Sequence, residues 1–65
     1  MIEATRNKEF LTVNEIARIF QVKPLTVYKW IWDGKLPAYK VGGLIRVKRQ
    51  DLSEVMEKIE PKKRN

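Results

Sequence analysis

The sequence predicts a mainly α-helical domain closed by one small β-hairpin. Three observations carry that reading: two stretches of helical periodicity split by Pro24, an alternating segment interrupted by Gly42-Gly43, and a third periodic stretch ended by Pro61. A chain of 65 residues holds one domain with a thin core, because a domain this size buries only roughly 60% of the surface its unfolded chain exposes.

The first helix begins in "LTVNEIARIF". Thr12 with Glu15 three residues on is a capping box, in which the hydroxyl accepts from the Glu15 amide and the carboxylate reaches back. Leu11 and Ile16 flank that cap as a hydrophobic staple. Val13, Ile16, Ala17 and Phe20 recur at helical spacing and form the buried stripe. The pattern breaks at "QVK". Pro24 then opens a second helix to about Trp32, since proline at a first helical position loses no hydrogen bond. Gly34 supplies a left-handed residue after its end. Two short helices on a tight turn make a helix-turn-helix.

At about 100° per residue, Val27, Trp30 and Ile31 fall on the side facing the first helix. Leu25, Tyr28, Lys29 and Trp32 fall on the other, with Thr26 on the flank. Trp32 either packs on a neighbouring loop or strand or stands exposed.

"LPAYKVGGLIRVKR" alternates around the glycines and predicts a hairpin. A three-residue loop, Gly42 to Leu44, places Tyr39, Val41, Ile45 and Val47 on one face and Lys40, Arg46 and Lys48 on the other. A two-residue turn mixes Tyr39 and Val41 with Leu44 and Arg46, so the separation of apolar from charged favours the longer loop. Such a hairpin after a helix-turn-helix is a wing. A last amphipathic helix follows, with Leu52, Val55, Met56 and Ile59 inward and Asp51, Glu54, Glu57 and Glu60 outward. The order α-α-β-β-α is a winged helix-turn-helix. It is expected over residues 10–60, between a flexible start (1–9) and a disordered basic tail (61–65).

Charge is distributed unevenly. The net +6 lies wholly in residues 23–50, where Lys23, Lys29, Lys35, Lys40, Arg46, Lys48 and Arg49 face Asp33 alone; both flanks sum to zero. One sign of charge in the middle of a balanced chain is a footprint for a polyanion. The chain has neither Cys nor His, which removes thiolate metal sites and the commonest general base. No nucleophile–base pair can be built, so no enzyme activity and no cofactor is expected. The polar N-terminus is not a signal peptide and no apolar run is long enough to span a bilayer, so a cytoplasmic, nucleoid-associated protein without membrane contact is expected.

The elements "LTVNEIA", "TVYKWI", "GKLPAYKVG" and "IRVKRQDL", in that order and without large insertions, make the chain resemble the excisionase family of small helix-turn-helix domains, related to MerR-like winged helices. The likeness covers about residues 10–60. It implies double-stranded DNA as partner, the second helix in the major groove and the wing on adjacent backbone or minor groove. It matches Thr26, Tyr28 and Lys29 to the family's recognition segment and Arg46 to its wing arginine. Lys23 stands where many relatives have a capping Ser, and Trp32 where a polar or basic residue is usual. The expected DNA-binding set is Lys23, Leu25, Thr26, Tyr28, Lys29, Lys40, Arg46 and Lys48, with no metal. The implied role is an accessory factor in recombination of a mobile element, or a small transcription regulator, with a recombinase or the transcription machinery as further partner. Lacking a heptad zipper, the domain is expected to be monomeric when free and cooperative on DNA. The alternative is a protein-interaction module using the Leu25, Tyr28 and Trp32 face.

Overall fold

The computed structural model describes residues 8–61. Its elements run β1 (Phe10–Leu11), α1 (Val13–Phe20), α2 (Pro24–Trp32), β2 (Tyr39–Val41), β3 (Leu44–Lys48) and a 3₁₀ helix (Arg49–Val55). The winged helix-turn-helix is present, with one strand more than the sequence announces. The flanks expected to be unstructured lie mostly outside the described residues.

The capping box forms as expected. The Glu15 N–H donates to Thr12 Oγ1 at 3.0 Å, and the Thr12 N–H donates to Glu15 Oε1 at 2.9 Å. Lys8 Nζ donates to the other carboxylate oxygen. Behind the cap, Leu11, Val13, Ile16 and Ala17 are buried and Phe20 packs against them.

Both helices end with the same device. At the end of α1, Gln21 is left-handed (φ 57°), its N–H bonds the Arg18 carbonyl at 3.3 Å, and the Val22 N–H bonds Ala17 at 2.9 Å. At the end of α2, Gly34 is left-handed (φ 78°), its N–H bonds Ile31 at 3.0 Å, and the Lys35 N–H bonds Trp30 at 2.9 Å. Each pair satisfies two carbonyls that the helix leaves open, the Schellman arrangement. The second reversal drops Leu36 fully into the core, beside Val27 and Val47. A T-shaped Phe20–Trp30 pair, centroids 5.7 Å apart, seals the crossing of the two helices.

The sheet has the order β1-β3-β2, with both pairings antiparallel. β1 pairs Leu11 with Val47 and Phe10 with Lys48. The hairpin corrects the expected register. Val41 faces Leu44, Lys40 faces Ile45 and Tyr39 faces Arg46, so the loop is Gly42-Gly43 alone. Both glycines have positive φ, 60° and 87°, the backbone of the two-residue turn whose twist matches paired strands. Consequently Ile45 and Val47 face inward while Leu44, Arg46 and Lys48 face outward with Tyr39 and Val41. Lys40 lies on the opposite face from Arg46 and Lys48, not beside them.

The last helix also differs. It is 3₁₀ and stops at Val55; Met56 is already extended (φ −98°, ψ 132°). Leu52 is buried and Val55 packs on the core, but Met56 and Ile59 are exposed, Ile59 at 87%. The apolar spacing is helical, but the small core offers no surface for its second half.

Three substitutions test this packing and capping. Gln21→Gly should stabilise the domain by about 0.5–1 kcal/mol in denaturant titrations, because glycine removes the left-handed penalty that Gln bears. Thr12→Ala should cost about 1 kcal/mol. The Lys8 ammonium first, and then the Thr12 backbone N–H, hold the Glu15 carboxyl below its ordinary 4.5. A depressed folded pKa gives stability that is complete above 4.5 and lost as pH falls through the lower folded value. Glu15→Gln should therefore flatten thermal stability against pH in that acidic window, and lower it at neutral pH.

Candidate nucleic-acid interface

The inner side of α2 is anchored and its outer side is open. Val27 is fully buried, Trp30 and Ile31 are half-buried against the core, and the outer face presents Leu25, Tyr28, Lys29 and Trp32, as the helical spacing predicts. Pro24 sits at the first helical position and Lys23 occupies the N-cap with no side-chain capping bond. Its carbonyl still accepts the Thr26 N–H at 2.9 Å. The ammonium is thus left to solvent beside the positive end of the helix, where a polar cap would be more stable.

Trp32 does not pack on a loop or strand. It is 69% exposed and stacks on Tyr28, centroids 5.6 Å apart and planes 24° from parallel. Tyr28 is half-buried and rests on the core, so it gives Trp32 a fixed support. Leu25, one turn toward the N-terminus from Tyr28, is 62% exposed.

Tyr28 also lines an open cleft of about 460 Å³, between the start of α1 (Thr12, Val13, Asn14) and the hairpin (Gly43 to Arg46). The cleft joins the outer face of α2 to the wing. Arg46 Nη1 donates to its own neighbour's carbonyl, Ile45 O, at 2.8 Å; a guanidinium has four further N–H donors. Lys48 Nζ lies 5.2 Å from the Tyr39 ring centroid, over its face. The hairpin's outer face is therefore cationic and apolar together: Tyr39, Val41 and Leu44 are exposed beside Arg46 and Lys48.

Of the expected set, Lys23, Leu25, Thr26, Tyr28 and Lys29 gather on or beside the exposed side of α2, and Arg46 and Lys48 on one hairpin face. Lys40 is on the other face of the hairpin from Arg46 and Lys48. Asn14 was not among the expected residues. It is exposed one turn-position inside α1 and lines the cleft with Tyr28; in the sequence its only signal is its place just after the capping Thr12. Among the described residues, no helix is long and apolar enough to cross a membrane.

Comparison with known proteins agrees with this geometry. Residues 10–59 match the family model described as a helix-turn-helix domain. Over 43 residues, 66% of the chain, it is 46% identical to "Uncharacterized protein YvgK" of Bacillus subtilis (strain 168), spanning 14% of that protein. Over 49 residues, 75% of the chain, it is 37% identical to "Putative DNA-binding protein Rv0500A" of Mycobacterium tuberculosis, spanning 63% of it. The chain thus covers less than two thirds of the length of either relative. No solved structure gives a significant match. With the family model spanning most of the chain and the helix pair, turn and wing in place, the chain belongs to the helix-turn-helix domain family.

Proposed function

We propose that the chain binds duplex DNA sequence-specifically and performs no chemistry on it. The observation that carries this is the cleft shared by Tyr28 of α2 and Arg46 of the hairpin, within the segment that holds the whole net charge of +6. A helix with its side chains is about 10–12 Å across and enters a major groove about 12 Å wide. α2 enters it outer face first, with Thr26, Tyr28 and Lys29 toward base edges. Lys23, at the helix N-cap, reaches phosphate. Arg46 and Lys48 lie on the adjacent backbone or minor groove. Lys40, on the hairpin's other face, adds to the long-range field rather than to the same contact surface. The name of the mycobacterial relative supports the reading.

The excisionase likeness extends it to an accessory role in recombination or to transcription regulation, with a recombinase or the transcription machinery as partner. Binding as a free monomer that becomes cooperative on repeated sites belongs to the same proposal. The exposed Leu25 and Trp32 are the one observation that favours a protein partner instead. The lysines beside them argue against it, since the cores of protein interfaces are depleted in Lys.

The test is duplex binding across a salt series, using a site selected from a random pool. About five phosphate contacts give a log–log slope of about −4.5; a slope near zero sinks the nucleic-acid reading. Lys29→Ala should relax discrimination at one base pair by roughly 1–3 kcal/mol. Arg46→Ala should weaken specific and random DNA alike, by a similar factor. Lys23→Ser should separate fold from function: stability rises by about 0.5–1 kcal/mol as the N-cap is satisfied, while affinity falls and the salt slope shrinks by about one.

A further inference from the structure

We propose that the apolar side chains of α2, Leu25 and the Tyr28-supported Trp32, read thymine C5-methyl groups, so that the target carries thymine at the positions they meet. This rests on the DNA-binding reading above and names what that same face selects.

Leu25 and Trp32 are 62% and 69% exposed, yet they sit on the side of α2 proposed to enter the groove. Neither belongs to the buried core or to the apolar side chains packed against it. Trp32 is held rather than loose: its ring stacks on Tyr28 at 5.6 Å, and Tyr28 is itself packed on the core. An apolar surface ordered before binding loses little freedom when it docks.

The chemistry of the groove decides the occupant. On the major-groove edges of the four base pairs, the one apolar group that stands out from the edge is the thymine methyl; cytosine offers only a flat C5–H, and the rest is donor or acceptor. An apolar side chain facing guanine N7 and O6 or the cytosine amine strips water from polar atoms and returns no hydrogen bond, which is costly. Facing a methyl, it gains contact instead. Leu25 and Trp32 therefore discriminate twice, by attraction to thymine and by exclusion of the alternatives. Seven residues separate them, about 10 Å along a helix, roughly three base-pair steps at 3.4 Å, so they meet different base pairs. The cationic neighbours Lys23 and Lys29 favour this occupant over an apolar protein surface.

The experiment uses the duplex recovered by selection and a set in which each thymidine in turn is replaced by deoxyuridine, which removes the methyl and keeps every hydrogen-bonding group. Affinity should fall roughly threefold to fourfold at one or two discrete positions, the effect of one buried methyl-sized group. Replacing cytidine by 5-methylcytidine at a non-preferred position should recover part of the lost affinity. Trp32→Ala should abolish the deoxyuridine penalty at one of these positions and Leu25→Ala at the other, while Trp32→Phe retains it. Both side chains are exposed, and a thermal melt confirms that each variant folds. Binding that persists unchanged on all deoxyuridine duplexes, or a recovered site without thymine, overturns the proposal. So does a penalty that survives in both alanine variants, which would leave this face to a protein partner. Failure to bind any duplex with salt-dependent affinity overturns the DNA-binding reading and this inference together.

Discussion

Val47 is the residue on which the domain closes. It is fully buried in β3, the central strand, which pairs with β1 through Leu11 and with β2 through the hairpin, and which touches α1 and the 3₁₀ helix. The fully enclosed core has only eight side chains among the described residues. In so small a core each contact is a large share of a stability that is marginal to begin with. Alternation along β3 then settles the surface as well. Burying Ile45 and Val47 sends Leu44, Arg46 and Lys48 outward with no further instruction. The packing constraint and the cationic hairpin face are thus one constraint, and a slip of one residue would undo both.

What was legible in the sequence was local. The Thr12–Glu15 box, the stripe through Val13, Ile16 and Ala17, proline at the head of α2 and Gly34 at its end each act within one turn, and each is where the residues place it. The outer face of α2 was legible for the same reason. What was missed depends on residues far apart. β1 has two residues and exists only because β3, some forty residues later, offers it an edge. Leu36 is given no place in the expected core, and the chain reversal at Gly34 carries it inward. Gln21 gives no sign of a left-handed backbone, since that conformation belongs to Gly and Asn by preference. The third helix fails in the other direction: its spacing is genuine, but Met56 and Ile59 have no surface left to cover.

The hairpin register shows how a sound rule can choose wrongly. Separating apolar from charged side chains favours a three-residue loop, and the structure adopts the two-residue one. Two glycines in succession suit a turn that needs positive φ at both central positions. The twist of that turn fits the strands directly, whereas segregation would have asked one residue of Leu44 in the loop. The consequence is an outer face where Tyr39, Val41 and Leu44 stand beside Arg46 and Lys48. Such a face is poor for solubility alone. Lys48 over the Tyr39 ring keeps one of these aromatics in contact with a charge rather than with water only.

The choices that stability alone would not make fall mostly within one segment of the chain, residues 23–50. Lys23 stands at an N-cap where a hydroxyl would bond the helix; Leu25 and Trp32 stand in solvent; Tyr39, Val41 and Leu44 do the same on the hairpin. Gln21, strained between the helices, is the exception, and it acts on geometry by setting how α2 leaves α1. A domain with so thin a core has little stability to give away, so departures of this kind are costly wherever they occur. Scattered departures would mean only an imperfect sequence. Here they gather in the segment where every charge but Asp33 is positive. Local rules are most often broken where a surface serves something other than folding, and the form of the breakage, apolar groups set among cations, is what a groove of methyls and phosphates would select.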